Sequence, residues 1–211
     1  MFVDRADAGR QLGQRLLHLQ GPGVIVLGLP RGGVRVAAEV AAILSAPLDV
    51  ILVRKLGVPS QPELAMGAIG EQGVRVLLPA TLSRAGVIPD ELAAVERRER
   101  AELRRRARRF RGERARVPLA GRVAVIVDDG IATGSTARAA CQVARAQGAA
   151  RIVLAVPVAP QGWVRGLRDV ADELIALATP RQFYAIGCWY SDFSQSTDGE
   201  VVTCLRGAPK G

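Results

Sequence analysis

The stretch "VAVIVDDGIATGSTARAA", Val123 to Ala140, decides how the rest of the chain is read. Apolar residues run into two adjacent carboxylates, Asp128 and Asp129, and then into Gly, Thr, Gly, Ser and Thr. A continuous apolar run is the pattern of a strand buried on both faces. Gly130 and Gly134 permit a tight turn whose backbone amides face one way. The helix expected at 135–147 then presents unpaired N–H groups and the positive end of its dipole. With the hydroxyls of Thr133, Ser135 and Thr136 added, the turn reads as a seat for a phosphate monoester. Asp128 and Asp129 would repel phosphate, so they address something else. Vicinal hydroxyls suit them, and a ribose 5-phosphate carries a diol at one end and a phosphate at the other.

Other phosphate loops fit less well. A Walker loop needs GxxxxGK(S/T), and Ser135 stands where its Lys would be. A dinucleotide fingerprint needs GxGxxG, which neither this loop nor "GLPRGG" supplies. A plain β–α turn whose acids only cap the helix is disfavoured by the apolar strand and two acids in register with it.

Working outward, "GVIVLGL" (23–29) is another buried strand, "GVRVAAEVAAILSA" has apolar residues at helical spacing, and "PLDVILVRKLG" returns to a strand. That is a β-α-β unit with short connections, which implies parallel strands and a right-handed crossover. "ARIVLAVPVA", a helix at 161–169 and "DELIALAT" continue the alternation after residue 150. The expected fold is therefore α/β, one domain with a mostly parallel twisted sheet flanked by helices. The core is expected at about 20–56 and 117–180, interrupted by a flap and a helical insertion at about 57–116. A C-terminal hood is expected at about 181–206. A hairpin is expected about Glu71-Gln72-Gly73, and a long charged helix over 89–114. In an open parallel sheet, ligands bind beyond the C-terminal strand ends, where the loops 29–33, 54–63 and 128–136 all fall.

Bulk properties narrow the class. At 211 residues and 49% hydrophobic, the chain has the size and core of one ordinary domain. No apolar run approaches the roughly 18 residues a membrane helix needs, and no secretory signal is evident. Cys141, Cys188 and Cys204 are odd in number and unclustered, so disulfide scaffolds and zinc sites are poor readings and a reducing cytoplasm is expected. His18, the one histidine, lies in an expected N-terminal helix, which excludes a histidine triad.

"VAVIVDDGIATGST" resembles the phosphoribosyl pyrophosphate (PRPP) binding motif of type I phosphoribosyltransferases, and the element order agrees over about residues 23–206. The resemblance implies that Asp128 and Asp129 hold the ribose hydroxyls. It places the 5-phosphate against Ile131, Ala132, Thr133, Gly134, Ser135 and Thr136. A second site must then grip pyrophosphate. "LPRGG" fits, Arg31 offering charge while Gly32 and Gly33 let the backbone approach closely; in the family this loop often carries a strained or cis peptide. Arg54 and Lys55, in "VRK", resemble a run in adenine phosphoribosyltransferases and are expected at the same edge. The implied reaction is displacement of pyrophosphate from ribose C1 by a nitrogenous base. Arg31, Arg54, Lys55 and a Mg²⁺ carried by the substrate, near Asp128 and Asp129, would stabilise the leaving group. The segment 57–78 would be a flexible flap, with Glu63 as its one early acid. A homodimer is expected.

The acceptor stays open. Hypoxanthine–guanine enzymes carry an Asp where this chain has Ala132 and a Lys where it has Ser135, and "ATG" is closer to the adenine and uracil branches. The tail "FYAIGCWYSDFSQSTDGEVV" holds five of the eight aromatics, with Trp189 and Tyr190, and also Phe183 and Phe193, as candidates to stack on a base. Their alternative is packing onto the core. Residues 90–116 hold eleven Arg against six acids, more than half of the net charge of +9. Leu92, Val95, Leu103, Ala107 and Phe110 line one narrow face of the expected helix, and Glu/Arg pairs at helical spacing support the rest. A solvated insertion helix, or one packed on a partner subunit, accounts for this. The sharper alternative is a PRPP-sensing regulator that binds RNA or DNA there. No helix-turn-helix or RNA-binding signature accompanies it.

Overall fold

A computed structural model describes residues 1–208 of the chain. Five strands form a parallel sheet: β1 (Val24–Gly28), β2 (Leu48–Val50), β6 (Val123–Val127), β7 (Arg151–Val158) and β8 (Glu173–Ala178). Three others, β3 (Val53–Val58), β4 (Gln61–Gly70) and β5 (Arg75–Leu77), form a small antiparallel sheet. The helices are α1 (Arg5–Arg15), α2 (Gly32–Leu44), α3 (Pro79–Arg84), α4 (Pro89–Arg111), α5 (Ser135–Ala146) and α6 (Asp198–Gly207). The parallel sheet runs in the order β2-β1-β6-β7-β8.

Period-two alternation sorts its side chains into two layers. Val24 and Val26 of β1, Val125 and Val127 of β6, and Val153 and Ala155 of β7 face the layer built by α1, α2, α4 and α6. Ile25, Leu27, Ala124, Ile126, Ile152 and Leu154 face α5 on the other side. Because both faces are covered, the strands read as uninterrupted apolar runs.

The chain departs from the expected layout at five points. "PLDVILVRKLG" is not one strand. The ladder ends as Ile51 N–H donates to the Gly28 carbonyl at 3.1 Å, and after Leu52 the chain enters β3 of the antiparallel sheet. Ile51 and Leu52 are themselves buried, so nothing in the composition marks the crossing. Residues 161–169 form only a 3₁₀ turn at Trp163–Gly166, entered through Gly162 at φ +81°. His18 lies in a 3₁₀ turn after α1, 3.0 Å from Glu173 Oε1, rather than in the helix. The charged helix stops at Arg111 and is not simply solvated, since Leu92, Val95, Glu99, Leu103 and Phe110 are buried along one face. Finally, α6 was not expected at all. The hairpin about Glu71-Gln72-Gly73 is present, with Gln72 (φ 58°) and Gly73 (φ 78°) both left-handed as a type I′ turn requires.

The end of α4 closes the edge of the parallel sheet. Arg111, buried, donates from Nε to Asp49 Oδ1 at 2.8 Å and from Nη2 to the Val50 carbonyl at 2.6 Å, and pairs with Glu71 through Nη1. Arg114 reaches the Leu48 carbonyl at 3.0 Å. Asp49, fully buried, also accepts from the amides of Val50 at 2.7 Å and Val117 at 3.1 Å. The free side of β2 is thus covered by guanidinium groups, one way in which an edge strand is kept from pairing with another chain. Removing Arg111 leaves a buried carboxylate without its charge partner. Arg111→Met is expected to cost about 3–5 kcal/mol of stability, read from the shift of the denaturant midpoint. Adding Asp49→Asn should restore part of that loss.

Candidate functional site

The strand order reverses between β1 and β6, from which the chain winds outward in opposite directions. The loops that follow these two strands meet at that divide, where open α/β sheets place their ligands. Leu29 N–H extends the ladder to the Val127 carbonyl at 2.9 Å, bringing 29–33 alongside the acid pair. The Pro30–Arg31 peptide is cis. Gly32 and Gly33 then press on the carboxylates. A Cβ on Gly32 would stand 1.9 Å from Asp129 Oδ2, and one on Gly33 2.7 Å from the Asp128 Cα. Any side chain at either position would push the two loops apart. Because α2 begins at Gly32, its N-terminal dipole end also lies against the acids.

Asp129 is braced by two side chains, Arg5 and Tyr190. Arg5, buried in the first turn of α1, donates from Nε to Asp129 Oδ2 at 2.8 Å and from Nη1 to the Ser194 carbonyl at 2.8 Å. Its guanidinium lies 3.9 Å over the Phe193 ring. Tyr190 Oη donates to the Asp129 carbonyl at 2.6 Å. Asp128 accepts only from the Asp129 amide, at 2.9 Å, among the described residues. Burial, and then the charge of Asp129, push the Asp128 carboxyl well above the usual carboxylate range. Two adjacent acids thus differ in character, one compensated by arginine and the other not.

Beyond them, Ile131 is buried as an anchor, its amide bonded to the Val158 carbonyl at 2.9 Å. Ala132, Thr133, Ser135 and Thr136 are exposed around a cavity of about 180 Å³ that Asp128 and Ile186 also line. Gly134, at φ +77°, turns the chain into α5, and Thr133 Oγ1 lies 3.3 Å from Ser135 Oγ. Hydroxyls, turn amides and a helix N-terminus converge there, next to the uncompensated Asp128.

The cations fall in two groups. Arg54 and Lys55 lie in β3, not at the end of a parallel strand. They line a cavity of about 580 Å³ with Pro30, Thr136 and the α4 residues Arg98, Glu99 and Arg106. Arg54 is held by Glu99 at 2.6 Å, and Lys55 Nζ lies 3.1 Å from the Glu63 carbonyl and 3.4 Å from its carboxylate. Arg31 opens instead into a neighbouring cavity with Arg105, Arg106 and Arg109. Tyr190 is buried, its ring against Phe2 and Phe193, so it braces Asp129 and is not open to stack on a base. Trp189 packs partly on the same cluster.

Sequence reasoning missed Arg5, Glu99, the α4 arginines and Asp198 as members of this region. Glu99 carried a signal, an acid in register with Leu92, Val95 and Leu103 on the apolar stripe. Asp198 carried another, since "TDGE" at 197–200 is a capping box and announces α6. Arg5 carried none.

Comparison with known proteins agrees with this geometry. A family model described as "Phosphoribosyl transferase domain" matches residues 5–165. Two Mycobacterium tuberculosis proteins, "Putative phosphoribosyl transferase Rv0571c" of strain H37Rv and "Putative phosphoribosyl transferase MT0597" of strain CDC 1551, are 60% identical over 205 residues. The alignments cover 97% of this chain and 46% of theirs, so the chain spans about half the length of these curated relatives. The crystal structure of TT1426 from Thermus thermophilus superposes with a TM-score of 0.90 at 45% identity, over 97% of each chain. The acid pair, the turn beyond it and the loop that packs on both therefore lie in a chain that belongs to the phosphoribosyl transferase domain family.

Proposed function

We propose that the chain binds PRPP across the β1–β6 divide and transfers its 5-phosphoribosyl group to a nitrogenous base, releasing pyrophosphate. The carrying observation is the uncompensated Asp128, beside Arg5-bound Asp129, at the mouth of the hydroxyl-lined turn. A diol suits the acids and a phosphate suits the turn, and Asp128 lines the same cavity as the turn. In the reaction the C1–O bond to pyrophosphate breaks, a C1–N bond forms, and the nitrogen gives up its proton. Charge develops as in glycoside cleavage, positive at the sugar ring and negative on the leaving group.

Each group has a place in that scheme. Asp128 and Asp129 orient the ribose through its hydroxyls, and Arg5 and Tyr190 hold Asp129 still while they do so. Residues 131–136 hold the 5-phosphate. Arg31, Gly32 and Gly33 face the pyrophosphate, with Arg54 and Lys55 approaching from β3. Asp128 and Asp129 also suit Mg²⁺, which prefers one or two carboxylates together with substrate phosphates. A carboxyl raised by burial and by a like charge is one that a cation would relieve. Bound with the substrate, the ion would neutralise charge on the departing pyrophosphate. The antiparallel sheet supplies the wall that screens the reacting centre from water.

The reading is tested by thermal unfolding with Mg²⁺ and PRPP. At about a hundred times its dissociation constant the ligand should add roughly 2.7 kcal/mol of stability. Asp128→Asn/Asp129→Asn should abolish the shift, and absence of a shift in the wild type at millimolar PRPP would sink the assignment.

Ligand-free protein gives a second test. Asp128 has its pKa raised on folding, so it favours the folded state below its unfolded value and disfavours it as pH rises through the folded value. Asp128→Asn should therefore raise the melting temperature at pH 7–8, and the gain should vanish as pH falls below about 4, the ordinary aspartate value. A gain that persisted unchanged at acid pH would contradict this origin.

A further inference from the structure

The PRPP reading gives a role to Arg31 but none to the α4 arginines that share its cavity. That cavity measures about 370 Å³ and is lined by Pro30, Arg31, Arg105, Arg106, Arg109, Phe110 and Asp198. Four guanidinium groups surround a single carboxylate. That carboxylate, on the first residue of α6, lies 3.7 Å from Arg31 Nη1 through Oδ1 and pairs with Arg109 through Oδ2. It bridges the loop after β1 to the arginine helix as a small anion would.

The other two arginines are aimed by a second acid. Glu102, one turn back on α4 and outside the cavity lining, accepts from Arg105 Nε and Nη2 at 2.8 Å each and from Arg106 Nε at 2.9 Å. These bonds fix the guanidinium planes without using every donor. Among the described residues, Arg106 donates only from Nε. The cavity therefore offers oriented, partly unused N–H groups with more positive charge than Asp198 can balance. Guanidinium forks match phosphate oxygens in pairs, and a diphosphate presents two such faces. Arg54 and Lys55, by contrast, are engaged by Glu99 and Glu63.

We propose that α4 supplies a diphosphate site, in which Arg105, Arg106 and Arg109 join Arg31 in holding the pyrophosphate group of PRPP, and that Asp198 occupies the place until a diphosphate displaces it. The proposal rests on the PRPP reading and makes α4, rather than β3, the element that joins the loop after β1 in gripping pyrophosphate. It also assigns the arginine-rich helix to substrate rather than to nucleic acid. The leaving group would be held between the loop after β1 and two helices, with α6 contributing the competing carboxylate.

Calorimetric titration of the full chain tests it, with inorganic pyrophosphate and ribose 5-phosphate in Mg²⁺-free buffer and with PRPP in the presence of Mg²⁺. Arg105→Gln/Arg106→Gln/Arg109→Gln should weaken pyrophosphate by about tenfold or more, as loss of three partly exposed charge contacts implies. It should weaken PRPP by a similar factor and leave ribose 5-phosphate unchanged. Asp198→Asn should tighten pyrophosphate, a gain that a misfolded protein would not show. Pyrophosphate binding should survive Asp128→Asn/Asp129→Asn, in which ribose 5-phosphate binding is lost. Unchanged pyrophosphate or PRPP affinity in the triple variant, or weaker pyrophosphate binding by Asp198→Asn, would overturn the proposal. Failure of the wild type to bind either ribose 5-phosphate or PRPP would instead remove the reading beneath it.

Discussion

Two carboxylates side by side at the end of a buried strand repel one another, and much of the molecule is organised around holding them there. The remedy is asymmetric. Arg5 bonds Asp129 directly and reaches Asp128 only through its charge, which burial and the charge of Asp129 outweigh. To bring Arg5 into place, α1 must begin beside Asp129 at the C-terminal strand ends and run back along one face of the sheet. To keep it there, the C-terminal segment supplies the Ser194 carbonyl, the Phe193 ring and the Tyr190 hydroxyl. Phe2 pairs with Tyr190, its amide donating to the Trp189 carbonyl at 2.8 Å, which ties the first and last segments together behind the acids. Stability is given up at Asp128, a common arrangement at functional sites.

The glycines opposite the acids meet the same constraint from the other side. The loop after β1 lies so close to Asp128 and Asp129 that no Cβ fits at Gly32 or Gly33. Loop and acids are therefore one unit, and a ligand that orders one must engage the other. On the proposed reading this joins the diol site to the anion site without any long lever between them.

Much of the fold was legible because its signals are local. Apolar runs of strand length, helical spacing in 33–46 and the short links between them specify an α/β sheet, and the acids ending β6 locate its ligand edge. What escaped was long-range or masked. Arg5 and Asp129 are separated by 124 positions, and an arginine in a helix's first turn reads as solvated until its partner is in view. The crossing from β2 to β3 lies inside an apolar run because both sheets are buried there. In α4 the apolar face of Leu92, Val95, Leu103 and Phe110 was legible from its spacing, but the charge around it hid that Glu99 is buried in the same stripe. Arg111 sits below the surface, while Arg105 and Arg106 edge cavities, and composition does not distinguish them.

The cover on β2 bears on how the molecule would fail. The last turn of α4 and the segment beyond it occupy the backbone carbonyls of Leu48 and Val50, at one border of the parallel sheet. Helix ends fray before helix centres. Fraying here would bare the hydrogen-bonding edge of β2 while the rest of the sheet was still intact, and an unpaired strand edge templates the addition of a strand from another molecule. Clumping of partly opened protein, ahead of complete unfolding, is thus the failure mode built into the join between α4 and the sheet.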